Sequence, residues 1–386
     1  MKNSHTSPQI LRAIAFYLPQ FHPIPENDRW WGKGFTEWTN VTRAQANFAG
    51  HFQPHLPSDS GFYDLRVSDT LVEQAALARS YGIHGFCYYY YWFAGKRLLE
   101  RPLEQMLASG KPDFPYCLCW ANENWTRRWD GAELDILIAQ KHSPSDDERF
   151  IRELLPHLRD SRYIRVNGKP LIVVYHVGIL PEPRRTASLW REVCRNEGIA
   201  EPYLCAAKTH READPANYAI ADPATYGFDA IVEFPPHGLR TPAINARMEI
   251  TNPDFAGTIV DYREFVLDYL VRAEPDYVTH PTVMPGWDNT PRRREHALTF
   301  VNATPEIYEV WLREVVLRTI AKRQPEEQLV FINAWNEWAE GAHLEPDRRY
   351  GHQFLRATQR ALADAPAGGL PFERFSGRRA APSVAR

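Results

Sequence analysis

A (β/α)8 barrel is the fold this sequence predicts, and three observations predict it. Eight short apolar runs are spaced along the chain, helix-period segments stand between them, and two long irregular stretches follow the first and sixth runs. Alternating strand and helix patterns build βαβ units and a parallel sheet. The length of 386 residues exceeds that of a typical single domain, but barrels of this class accommodate it with insertions. An open doubly wound sheet is the competing arrangement. Its glycine fingerprint after the first strand is missing, and Gly32-Lys33-Gly34 is only a fragment of it.

Strands are predicted over 13–19, 84–91, 115–120, 170–176, 202–208, 229–234, 277–284 and 329–334. Runs such as Leu171-Ile172-Val173-Val174-Tyr175 are apolar throughout, as strands covered on both faces should be. Between them, residues 68–81 carry Leu71, Ala75, Leu77 and Ala78 behind a Ser68-Asp69 start, and Gly82 supplies the stop. Further helices are predicted over 98–109, over 146–160 with its acidic first turn, over 188–197 ending at Gly198, over 261–272, over 305–323 with Pro305 in the first turn, and over 351–363. The segment 211–228 is the most weakly written link. Residues 1–364 are therefore read as one barrel and 365–386 as a poorly ordered tail rich in Pro, Gly, Ala and Arg. The long stretches 20–60 and 235–260 fall on the C-terminal face, where barrel active sites sit.

Composition closes off several classes. With 45 Lys plus Arg against 48 Asp plus Glu, the formal charge of −3 argues against a nucleic-acid or anionic-membrane partner. No apolar run is long enough to span a bilayer, so membrane insertion is not expected. The amino-terminal residues lack the apolar core of a secretory signal, and Cys87, Cys117, Cys119, Cys194 and Cys205 form no CxxC, so buried reduced thiols in a cytoplasmic protein are expected. No HExxH, paired-cysteine, Walker A, GxSxG or Asp-x-Asp sequence occurs, and neither a metal nor another cofactor is expected.

The chemistry should lie at strand ends. The eighth strand runs into Asn333-Ala334-Trp335-Asn336-Glu337-Trp338-Ala339-Glu340. On one helical turn, positions three apart have Cβ atoms about 5–6 Å apart. Carboxylates at that separation suit retaining glycoside chemistry. Crowding of Glu337 and Glu340 by each other, Trp335 and Trp338 would raise one carboxyl pKa toward that of a proton donor. A solvated acidic turn or structural salt bridge is the bland alternative. The third strand ends in Trp120-Ala121-Asn122-Glu123-Asn124-Trp125, the mixed aromatic and polar lining of a sugar pocket. In the second strand Tyr90 and Trp92 are candidates for ligand contact or for core packing. The first long loop adds Trp31, Glu37 and Trp38. Tyr17, His22, His176, Lys208, Glu233, Trp287, Asp288 and Asn333 complete the polar and aromatic candidates near strand ends, with Glu233 the best alternative carboxylate.

Four motifs taken together resemble the WbsX-type domain of bacterial polysaccharide gene clusters, a relative of glycoside hydrolase family 99. They are Ala15-Phe16-Tyr17-Leu18-Pro19-Gln20-Phe21-His22-Pro23, Gly34-Phe35-Thr36-Glu37-Trp38-Thr39-Asn40-Val41, Cys119-Trp120-Ala121-Asn122-Glu123-Asn124-Trp125 and Asn336-Glu337-Trp338-Ala339-Glu340-Gly341. The resemblance implies a barrel over roughly residues 12–360. It also implies retaining action on α-linked, manno-configured sugars such as mannose or rhamnose. Glu337 would take the proton of the sugar 2-OH, forming a 1,2-anhydro sugar, and Glu340 would be general acid and then base. Three functions stay open: a retaining glycoside hydrolase or transglycosidase on an oligo- or polysaccharide, a glycosyltransferase of O-antigen or capsule assembly, and a sugar-binding barrel without catalysis.

Overall fold

A computed structural model describes residues 11–127, 132–209, 222–238 and 241–363. Its centre is a ring of parallel strands. They are β1 (Arg12–Tyr17), β2 (Gly85–Phe93), β3 (Tyr116–Trp120), β4 (Lys169–Val174), β5 (Tyr203–Lys208), β6 (Ala230–Glu233), a divided β7 (Thr279–His280 and Thr282–Val283) and β8 (Leu329–Ile332). Each pairs with its sequence neighbour, and β8 returns to β1 with Ile14 opposite Phe331. The predicted seventh strand over 277–284 is broken at Pro281, which has no N–H to give a ladder. Its first half pairs with β6 and its second with β8, so the break turns the chain from one neighbour to the next and brings the ring round.

The longer helices are α1 (Ser68–Ser80), α2 (Arg101–Ser109), α3 (Pro144–Arg159), α4 (Pro183–Asn196), α5 (Tyr262–Val271), α6 (Pro305–Lys322) and α7 (Gln353–Ala363). Ser143 caps α3 by accepting from the Asp146 amide, and Asp261 caps α5 in the same way. The weakly written 211–228 and the tail 365–386 lie largely or wholly outside the described residues. All five cysteines are free and buried.

Strand alternation decides which aromatic residues face the barrel interior. Phe16 lies 5.8 Å from Tyr89 and 5.0 Å from Phe234, and Phe234 lies 5.2 Å from Tyr175 (ring centroids), so these four rings from different strands fill the interior. Residues of opposite parity point outward against the helices. Above the C-terminal rim, the two long loops meet. Phe48 bridges Ile250, and the Asn47 carbonyl accepts from the amides of Thr251 and Asn252. The second loop continues into Thr258–Asp261, which pairs with Leu298–Val301 outside the ring.

Candidate active site

At the end of β8 the chain makes a two-residue ladder, Asn336–Glu337 against Ala342–His343, closed by a short turn over Trp338–Glu340. Gly341 ends that turn at φ +59°, and a Cβ there would stand 2.9 Å from the Asp288 Cβ and backbone nitrogen. Only glycine meets both demands. The close approach is used, because the Asp288 amide donates to the Glu340 carbonyl at 2.6 Å. Asn336 fixes the other side. Its side chain accepts from the Leu18 amide at 2.7 Å and donates to the Leu18 carbonyl at 3.0 Å, tying the loop to the end of β1.

Glu337, Glu340 and Glu37 converge on one cation, Arg292, from the short helix Thr290–Arg293. The guanidinium gives Nη1 to Glu340 Oε1 at 2.6 Å and Nη2 to Glu337 Oε2 at 3.0 Å, with Glu37 Oε2 at 3.3 Å. Glu37 and Glu337 are buried, whereas the Glu340 side chain keeps 21% of its exposure. One guanidinium cannot balance three carboxylates in a poorly hydrated space. Burial raises Glu337 to about 8 despite the opposing Arg292, and the charges of Glu340 and Glu37 push the same way. Glu37 is also raised, again by burial first. The cluster therefore holds a proton at neutral pH, as acid–base chemistry on an acetal requires.

Asp288 stands directly behind. Burial pushes its carboxyl up, but the His51 and Thr290 hydrogen bonds and the nearby imidazoles of His51 and His55 outweigh it, and the net pKa is lowered. Its Oδ2 meets His51 Nε2 and Gln53 Nε2, each at 2.7 Å, so the loop after β1 supports the segment that carries Glu340. A cavity of about 420 Å³ borders the helix that carries Arg292. Trp30, Trp31, Phe35, Asn40, Arg43 and Asn252 line it, and it borders Thr290 and Pro291.

Other candidates gather at the rim. Trp125 packs edge-on against Tyr91 at 5.1 Å and Trp30 at 5.9 Å. Asn122 exchanges two backbone hydrogen bonds with His176, and His176 Nδ1 lies 3.4 Å from Glu123 Oε1. The remaining expectations need correction. Tyr17 donates to Gln74 of α1, Tyr90 packs on Phe150 and His157 of α3, Trp92 donates to Asp146, and Trp120 stacks on Phe150 at 4.3 Å. These four side chains lie between barrel and helices, because alternation sends them outward. Glu233 faces the same way and binds Tyr269 and Arg272 of α5, and the charges near Lys208 are Glu233 and Arg272.

Trp335 and Trp338 are fully buried supports rather than pocket walls. Both indole N–H groups donate to Glu345, at 3.1 and 2.7 Å, and Tyr63 and Gln74 supply that carboxylate with two more donors. Trp38 packs on Trp338 at 5.6 Å and donates to the Tyr63 carbonyl. Asn333 donates to the Pro235 carbonyl. Trp287 is buried, and its carbonyl accepts from Phe300. His22 is buried too. Burial lowers it to about 4, and its charged neighbours are Asp64, Arg66 and Arg101 rather than the glutamates.

Sequence reasoning missed Arg292, Tyr89, Tyr91, Gln20 and Glu345. Tyr89 and Tyr91 both feel the Glu337 charge, and Gln20 donates to the Tyr91 hydroxyl. Their parity was readable: interior Phe16 requires odd-numbered tyrosines of β2 on the same side. Arg292 carried no comparable mark, being one of three consecutive arginines.

Comparison with known proteins decides the family. The family described as Glycosyltransferase WbsX matches residues 13–358. The chain belongs to the WbsX family. Two curated relatives, both "Uncharacterized protein WxcX" from Xanthomonas campestris pv. campestris, strains ATCC 33913 and B100, are each 50% identical over 361 residues, covering 93% of this chain and 51% of the relative. The chain thus spans about half the length of the curated relatives it matches. Among solved structures, the GH99 endo-alpha-mannosidase from Bacteroides thetaiotaomicron superposes with a TM-score of 0.55 at 15% identity, over 92% of this chain and 97% of that one. A "Glycoside hydrolase-like protein" gives 0.53 at 15% identity, over 92% and 94%. The WbsX-family chain therefore has the barrel of glycoside hydrolase family 99. Its family and fold are those of carbohydrate-active enzymes, and among its described residues no helix is long and apolar enough to cross a membrane.

Proposed function

We propose that the protein is a retaining glycoside hydrolase or transglycosidase acting on an α-linked, manno-configured bacterial polysaccharide. The observation that carries this reading is the convergence of Glu337 and Glu340 on Arg292 at the barrel mouth. Ionised Glu337 removes the proton of the sugar 2-OH, whose oxygen attacks the anomeric carbon from the face opposite the leaving group. The glycosidic C–O bond breaks, and Glu340 gives its proton to the departing oxygen. Water, or an acceptor hydroxyl in transfer, then loses its proton to Glu340 and attacks the anomeric carbon. The 1,2-anhydro ring opens, and Glu337 returns a proton to the 2-oxygen. Two displacements give net retention.

A raised pKa is compatible with the base role of Glu337. Ionising a group of pKa near 8 at pH 7 costs about 1.4 kcal/mol, and the resulting carboxylate is a stronger base than an ordinary glutamate. Trp125, Tyr91 and the cavity beside Trp30 and Trp31 offer aromatic faces for neighbouring sugars. The test is incubation with bacterial α-mannans and rhamnans without nucleotide, with product stereochemistry read by NMR. Turnover with retained configuration is expected, and it should fall at least ~100-fold in Glu340→Gln on native glycan. Turnover that depends on a nucleotide-sugar donor overturns the reading in favour of a polysaccharide glycosyltransferase, the activity named in the family's description. Glycan binding that survives Glu340→Gln, with no turnover by the wild type, makes it a non-catalytic sugar-binding barrel.

A further inference from the structure

Behind the catalytic loop, on the side of Trp338 away from the barrel, lies a second cluster with no part in the chemistry above. His55 comes from the loop after β1, and His343 and Asp347 from the loop after β8. One ligand-capable atom from each lies within 4.8 Å of the other two. His55 Nδ1 and His343 Nε2 face each other at 3.1 Å, and Asp347 Oδ2 stands 3.9 Å from His343 Nε2. Zinc–nitrogen bonds of about 2.0–2.1 Å in a tetrahedral site separate two ligand nitrogens by about 3.3 Å. The pair is already near that spacing, and Asp347 Oδ2, 3.9 Å from His343 Nε2, would have to draw closer.

The surroundings orient His343 and Asp347 as ligands. His343 Nδ1 lies 3.0 Å from the Glu345 carbonyl. A carbonyl only accepts, so Nδ1 carries the hydrogen and Nε2 keeps its lone pair, the arrangement that supports metal-binding histidines. The His343 ring is stacked on Trp338 at 3.8 Å, which locks its plane. Asp347 Oδ1 accepts from the amides of Arg349 and Tyr350, leaving Oδ2 turned toward His343.

We propose that His55, His343 and Asp347 form a zinc-class divalent metal site that clips the loop after β1 to the loop after β8. Two imidazoles and one carboxylate suit zinc and its borderline neighbours better than calcium or magnesium, which favour oxygen donors. The clip continues contacts already present, since Ser58 donates its amide to the Pro346 carbonyl and Pro57 bridges Asp347. The same β1 segment holds Asp288 through His51 and Gln53, so the ion would stiffen the wall behind Glu340.

The experiment is to strip the full chain with a chelator and titrate zinc by calorimetry. Cobalt serves as the spectroscopic probe. One zinc per chain is expected, with a visible cobalt band of tetrahedral type and a melting temperature that climbs with zinc concentration. His55→Ala and Asp347→Asn should each weaken zinc binding at least tenfold, while His296→Ala, at an exposed histidine outside the cluster, should leave it unchanged. No uptake at micromolar zinc overturns the proposal and leaves His55 and His343 as a hydrogen-bonded pair. Uptake undiminished in both ligand variants also overturns it.

Discussion

Two Asn-Glu pairs, Asn122-Glu123 after β3 and Asn336-Glu337 after β8, begin from the same local device and end in different places. Each asparagine clamps the backbone at the end of a neighbouring strand, Asn122 at His176 and Asn336 at Leu18, by accepting from the amide and donating to the carbonyl of one residue. Each glutamate follows immediately. Glu123 then stands at the rim beside His176 with 22% of its side chain exposed, while Glu337, at 5%, is pressed against Arg292 with Glu37 and Glu340. The difference comes from what lies opposite. The β8 loop turns back through Gly341 under Asp288 and meets the arginine-bearing helix. Residue type at a strand end thus sets which backbone is held, and the facing loops set whether the carboxylate is driven into poorly hydrated space.

Exchanging charge for amide in each pair sharpens that contrast most. Glu337→Gln should lower kcat/KM on native glycan by roughly 10²–10⁴, the scale of a positioned acid–base group, while Glu123→Gln should lose less than tenfold. If both lose equally, the comparison is broken and the rim carboxylate belongs to the reacting set. The pH profile adds a sign. With Glu337 ionised as base and Glu340 protonated as acid in the working form, kcat/KM should follow a bell with one limb near pH 8. Loss of that limb in the residual activity of Glu337→Gln assigns it to Glu337, and its persistence assigns it to another group.

The flanking tryptophans give a second, smaller contrast. Trp120 is fully buried, stacked on Phe150 at 4.3 Å and 5.9 Å from Trp190. Trp120→Ala should cost about 3–5 kcal/mol of stability by denaturant unfolding. Trp125, part-buried beside Tyr91, should cost far less when replaced by Ala but raise KM for glycan. Equal destabilisation by both would place Trp125 in the core and remove it from the sugar path.

Much of this was legible before the structure. The apolar runs located every strand of the ring, because strands covered on both faces cannot alternate, and the long loops fall on the C-terminal face, where they were expected. The carboxylates of the β8 loop and Glu37 were readable as candidates from their motifs. What the sequence obscured was direction. Within Tyr88-Tyr89-Tyr90-Tyr91-Trp92 composition is uniform, so only the parity fixed by Phe16 separates interior from exterior. Trp335 and Trp338 resembled pocket walls, yet Glu345, a few residues on, draws both indoles away from the site. Arg292 was hidden because its role depends on a meeting of three loops that no local pattern encodes.

The smallest expected effect tests the shared device itself. Asn122→Ala removes two hydrogen bonds to the His176 backbone, at 2.8 and 2.9 Å, and leaves a buried amide and carbonyl without those partners. The loss should be about 1–3 kcal/mol of stability. Because the clamp positions backbone rather than reacting atoms, KM should rise through displacement of His176 and Glu123, while kcat changes little. A fall in kcat comparable to that of Glu337→Gln would mean that the β3 end feeds geometry directly to the reacting carboxylates, and the two Asn-Glu pairs would then be halves of one site.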